Sequence, residues 1–157
     1  MQIVQQPSFK TIVLAGIVAG AMDILAAILV YAIIKQATTP TLILQFIASG
    51  VFGKAAFAGG ATMAFYGLIF HFLIAFSFAA VYALAFPHVA FLSKQKVPAG
   101  LFYGVLVWIV MNLTVLPLAF HNMPTFQLEG SLISIIILML CVGLPISLII
   151  HKRTVSR

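Results

Sequence analysis

Three stretches of this chain, 61–86, 99–120 and 130–150, contain no Asp, Glu, Lys or Arg. A fourth, 11–34, contains a single one, Asp23. A helix needs about 20 consecutive apolar residues to cross a bilayer core, and all four stretches reach that length. Hydrocarbon offers no partners to backbone N–H and C=O groups, so runs of this length predict helices that satisfy themselves. Composition agrees. The chain is 64% hydrophobic and 6% charged, against roughly 25% charged residues in average soluble domains. A soluble fold of 157 residues has too little interior to hide so much apolar surface.

The expected fold class is therefore an all-α membrane protein, forming a single domain over 1–157. It has four transmembrane helices at about 11–34, 61–86, 99–120 and 130–150. The first run is too long for the apolar core of a signal peptide and carries Asp23, so it reads as an uncleaved span. Pro40 reads as a stop before the next segment, and 88–97, 121–129 and 151–157 read as loops and a basic tail. Pro117 and the Gly143–Pro145 pair are expected to bend their helices.

The segment 42–57, LILQFIASGVFGKAAF, is apolar but shorter than a full crossing. It contains Gly50, Gly53 and Lys54. Gln45, Ser49 and Gly53 fall on one helical stripe, while Phe46, Ile47, Val51 and Phe57 lie elsewhere. This pattern predicts a short interfacial or re-entrant helix between the first two spans. Lys54 has two readings there: a cation at a pore mouth, or a side chain that snorkels to lipid phosphates.

Charge then sets orientation. With four spans, Lys10, Lys94, Lys96, Lys152, Arg153 and Arg157 share one side, and Lys35 and Lys54 the other. Cytoplasmic loops carry the excess of Lys and Arg, which predicts both termini in the cytoplasm. The net charge of +6 is explained this way and does not point to nucleic acid. Cys141 is the one cysteine, so no intrachain disulfide can form.

A carboxylate at the bilayer centre costs roughly 2.5–3.5 kcal/mol on insertion scales and marks function or a partner. Asp23, His71 and Asn112 fall near the middle of the first, second and third spans. Each also lies on a stripe of small residues: Gly16, Gly20 and Asp23; Gly67, His71 and Ala75; Gly100, Gly104, Trp108 and Asn112. Small residues let membrane helices approach, and polar side chains then bond across the seam. The three residues are thus expected to converge as a proton-relay or binding centre, with Gln45, Ser49 and Lys54 as secondary candidates. The alternative is a neutral hydrogen-bonded knot that fixes helix register.

Other chemistries find little support. His71 and His88 are separated by about 25 Å of helix, and no zinc-spacing motif, phosphate loop or nucleophile elbow is present. No metal, cofactor or enzymatic reaction is expected. Tyr66, Tyr103 and Trp108 read as packing or interface aromatics. The expected partners are the lipid bilayer and, as a candidate assembly, further copies of the chain, since four short helices enclose little volume.

Three phrases carry a resemblance: LQFIASGVFGKAAFAGG at 44–60, GLIFHFLIAF at 67–76 and GLFYGVLVWIVMNLTVLPL at 100–118. On these the chain resembles an uncharacterised family of small bacterial four-helix inner-membrane proteins, which implies a bacterial inner-membrane location and no particular activity. It is more loosely similar to small multidrug-resistance transporters, which also have four helices and an acidic residue in the first. The resulting expectation is a small proton-linked carrier or polar pathway centred on Asp23 and His71. The alternative is a non-catalytic assembly, accessory or lipid-contacting component.

Overall fold

The computed structural model describes residues 6–119 and 128–155. Among these, all regular secondary structure is helical. Helix α1 (Phe9–Ile34) is followed by α2 (Pro40–Phe52), a 3₁₀ segment (Gly53–Ala58), α3 (Gly60–Ala85) and the short α4 (Ala90–Lys94). Helices α5 (Lys96–Ala119) and α6 (128–154) complete the chain. His121 and Pro124, expected in a loop, lie outside the described residues, as does Arg157.

Local chemistry explains the boundaries. Ser8 caps α1, its hydroxyl accepting from the Thr11 N–H at 3.4 Å. Pro40 does not stop a segment but opens one. It occupies the first turn of α2, where a missing N–H costs nothing, and the Thr39 hydroxyl accepts from the Leu42 N–H. The stretch 88–97, expected as loop, holds α4 and the first turn of α5. His151, Lys152 and Arg153, expected in a basic tail, form the last turn of α6. Cations are favoured there by the partial negative charge of the helix end.

The two expected bends take the same form. Residues Met111–Val115 and Leu138–Gly143 are π-helical, just before Pro117 and Pro145. A proline cannot donate to the carbonyl four residues back, and a widened turn lets that carbonyl find another partner. A third π-helical stretch, Ile28–Ile34, ends α1.

Length and apolar composition put five helices in the membrane-crossing class. The fifth is the segment expected to be too short. It extends from Pro40 to Ala58, nineteen residues. It is not one rod, however. Gly53, at φ +62°, breaks α2, and the 3₁₀ segment packs back against the helix that precedes it.

α1 and α3 are antiparallel neighbours. Gly16 meets Phe76, Gly20 meets Phe72 and Ala75, and Asp23 approaches His71. Ile34 lies eleven residues beyond Asp23, and Gly60 eleven residues before His71, so both lie at one end of the bundle. α2 rests on the nearby part of α3: Leu44 touches Gly67, and Phe52 stacks on Tyr66 and Phe70. On its other flank α1 packs on α6, which pairs with α5. The main apolar core joins Ala15, Ala19, Ala79, Tyr82, Phe86, Val107, Ile146 and Ile150.

Candidate functional site

The α1–α3 seam is close because α1 carries no side chain at two positions. A Cβ on Gly20 would lie 2.8 Å from the Phe72 ring and 3.1 Å from the Ala75 Cβ. This approach brings His71 onto the α1 backbone. Its Nε2 lies 2.8 Å from the Gly20 carbonyl oxygen. A carbonyl only accepts, so Nε2 carries the hydrogen, and Nδ1 is the ring nitrogen left to gain or lose a proton. The Asp23 Oδ2 lies 4.0 Å from the same Nε2.

Neither group is sealed. The Asp23 side chain is 22% exposed and that of His71 12%. The Phe72 ring meets the imidazole edge-on at 5.6 Å. Tyr31, two turns further along α1, and Cys141 of α6 lie within electrostatic reach of Asp23. Helix α6 thus contributes a thiol that its sequence pattern did not single out.

Asn112 is placed elsewhere. Its side-chain amide donates to the Trp108 carbonyl oxygen in its own helix at 3.0 Å. The stripe it belongs to faces α6. Gly100 lies against Leu144 and Ser147, Gly104 against Leu138 and Met139, and the Trp108 Nε1 donates to the Ser134 hydroxyl at 2.8 Å. The structure therefore brings Asp23 and His71 together but places Asn112 on a different seam. Gly67 also departs from the stripe it was assigned. It faces α2, where Leu44 fills the space a side chain would need.

The secondary candidates belong to α2. Gln45 and Ser49 are buried. The Gln45 amide donates to the Gly60 carbonyl at 3.0 Å, tying α2 to the start of α3, and the Ser49 hydroxyl donates to Phe46 within α2. Lys54 is exposed.

A second polar cluster was not read from the sequence. The Tyr82 hydroxyl donates to the Ser147 Oγ at 2.7 Å, and that hydroxyl donates on to the Lys96 carbonyl at 2.6 Å. Tyr82 and Ser147 are fully buried. Tyr103, read as a packing aromatic, also donates its hydroxyl to the Phe78 carbonyl. His151 is bonded to the Ser93 carbonyl, while His88 is exposed. Among the described residues, no three His, Cys, Asp or Glu side chains gather as a metal site would need.

The α1–α3 seam thus places a carboxylate 4.0 Å from an imidazole nitrogen that donates to a backbone carbonyl, half way along two antiparallel apolar helices. No protein-family model, no curated protein and no solved structure matches this chain.

Proposed function

We propose that the chain is a bacterial inner-membrane protein with four spans, one re-entrant segment and cytoplasmic termini, and that it acts as a small proton-linked carrier or polar pathway rather than an enzyme. Its centre is the Asp23–His71 pair. The re-entrant reading is supported by the antiparallel pairing of α1 and α3. Both ends of the intervening segment start from the same end of the bundle. The orientation is supported by Lys10, Lys94, Lys96, Lys152 and Arg153, which gather at the opposite end.

One observation carries the functional reading. A carboxylate and an imidazole lie 4.0 Å apart, partly exposed, at mid-length of two apolar helices. Ionisable groups at this depth are expensive to insert and mark ion and proton pathways. At such separation the charge of either group acts directly on the other. The Gly20 carbonyl fixes Nε2 as donor and leaves Nδ1 as the acceptor.

A second reading has a specific observation in its favour. The same His71–Gly20 bond also fixes the register of α1 against α3. Interhelical hydrogen bonds in membranes average only about 0.6 kcal/mol, so such a lock would specify the pairing more than stabilise it. Difference infrared spectroscopy of the Asp23 carboxyl band, over a pH series and with His71→Ala alongside, separates the two. A band that titrates and moves on removal of His71 supports the relay, and proteoliposome flux under a pH gradient is then the direct assay. A band that never changes, with His71→Ala altering stability alone, leaves the lock.

A further inference from the structure

The end of the bundle far from α2 holds a pocket of about 630 Å³ between the start of α1 and the end of α6. Its polar lining includes Gln6, Ser8, Lys10, Thr11, Lys152 and Arg153. This volume falls within the range of small-ligand sites. Three cations thus face one cavity, from two helices whose ends run in opposite directions.

The chain supplies no side-chain carboxylate to neutralise them. It has two acidic residues. Asp23 is thirteen residues further along α1, about 20 Å by helical rise, and Glu129 belongs to the opposite end of α6. The first turn of α1 adds the partial positive charge of a helix N-terminus.

We propose that this pocket binds a phosphate group, with Arg153 and the two lysines as its counter-charges. Arginine presents a planar fork that matches phosphate oxygens, and lysine a compact point charge. Basic pockets among helices on the cytoplasmic side take anionic lipid headgroups. A phosphorylated solute offers the same chemistry. The site is independent of the Asp23–His71 pair and of whether that pair moves protons.

The test uses the full chain, purified in mild detergent and freed of native lipid. Native mass spectrometry counts phosphatidylglycerol retained per chain against phosphatidylcholine. In parallel, thermal unfolding is compared in inorganic phosphate and in chloride at equal ionic strength. Two variants of equal charge are carried through: Lys152→Gln with Arg153→Gln inside the pocket, and Lys94→Gln with Lys96→Gln at the same end but outside it. Lys10→Gln is the third. Circular dichroism checks that each variant is folded.

The expected result is one phosphatidylglycerol held per chain, or a phosphate-specific rise in unfolding temperature. Affinity should fall about tenfold or more in the pocket pair, the loss two cations near a membrane surface produce. It should fall in Lys10→Gln as well, and hold in the outside pair. Retention of the lipid assigns the site to a headgroup, and a phosphate effect without lipid selectivity assigns it to a soluble phosphate. Equal losses in the two double variants would reduce the effect to diffuse surface charge and overturn the site. So would no preference for either anion.

Discussion

Gly67 rests against the backbone of Leu44, so closely that a methyl group on it would overlap the Leu44 carbonyl oxygen. The carbonyl belongs to the α2 backbone and cannot swing away as a flexible side chain would. Gly67→Ala should therefore push α2 off α3 or strain both. The expected loss is about 1–3 kcal/mol, the usual cost of overpacking. Gly130→Ala is the control, since a Cβ there meets nothing within 4 Å. Thermal unfolding in detergent should separate the two variants.

The α5–α6 crossing makes a similar demand twice. A Cβ on Gly104 would crowd Met139 and Leu138, and one on Gly143 would crowd Gly100 and Gly104. Either alanine substitution should lower the unfolding temperature. The double variant should lose less than the sum of the two, because both open the same crossing and contacting sites are not additive.

The Tyr82–Ser147 pair yields an ordered prediction. Tyr82→Phe removes a donor and leaves the Ser147 hydroxyl still bonded to the Lys96 carbonyl. Its expected cost is about 1 kcal/mol. Ser147→Ala strands the buried Tyr82 hydroxyl, and should cost more, up to about 3 kcal/mol. Unfolding of the two variants side by side checks the order.

The separation of Asn112 from the α1–α3 seam is also testable. Asn112→Ala should leave the Asp23 carboxyl band where it is, whereas His71→Ala should move it. Equal shifts in the two variants would place Asn112 at the pair after all.

Topology can be read by labelling from one side. On a Cys141→Ala background, Ala37→Cys and Gly59→Cys flank the α2 segment. Both should react with a membrane-impermeant thiol reagent from the face opposite to that of Ser93→Cys. A full crossing by α2 would instead put positions 37 and 59 on opposite faces.

The uneven legibility of the site has a physical cause. Asp23 and His71 could be paired from sequence because depth and cost both single them out: each is an ionisable group in the middle of a long apolar run. Asn112 shares their depth, but a stripe of glycines shows only that some helix comes close, not which one. The glycines above Asn112 are occupied by α6. Gly67 and His71 differ by one turn on the same helix, yet the first meets α2 and the second α1. Tyr82 and Ser147 left no signal, since isolated hydroxyls on different helices have no shared spacing. The break in α2 was not legible: Gly53 falls on one helical stripe with Gln45 and Ser49, yet it adopts a positive φ that few other residues tolerate and ends the helix there. Nor was the helical status of 88–97, because its lysines read as solvent-facing whether or not the backbone is coiled.

The shortness of α2 bears on the shape of the molecule. α2 contacts α3 over the stretch from Gly60 to about Phe70, and from Leu68 onward an apolar groove lined by Leu68, Ile69, Phe72, Leu73 and Phe76 stays open. On the proposed four-span topology, the protein is broader in cross-section through one leaflet than through the other. Lipids in the narrow half fill the space beside α3, while those in the broad half are displaced. Many copies side by side would act as wedges, favouring a membrane that curves toward its narrow face.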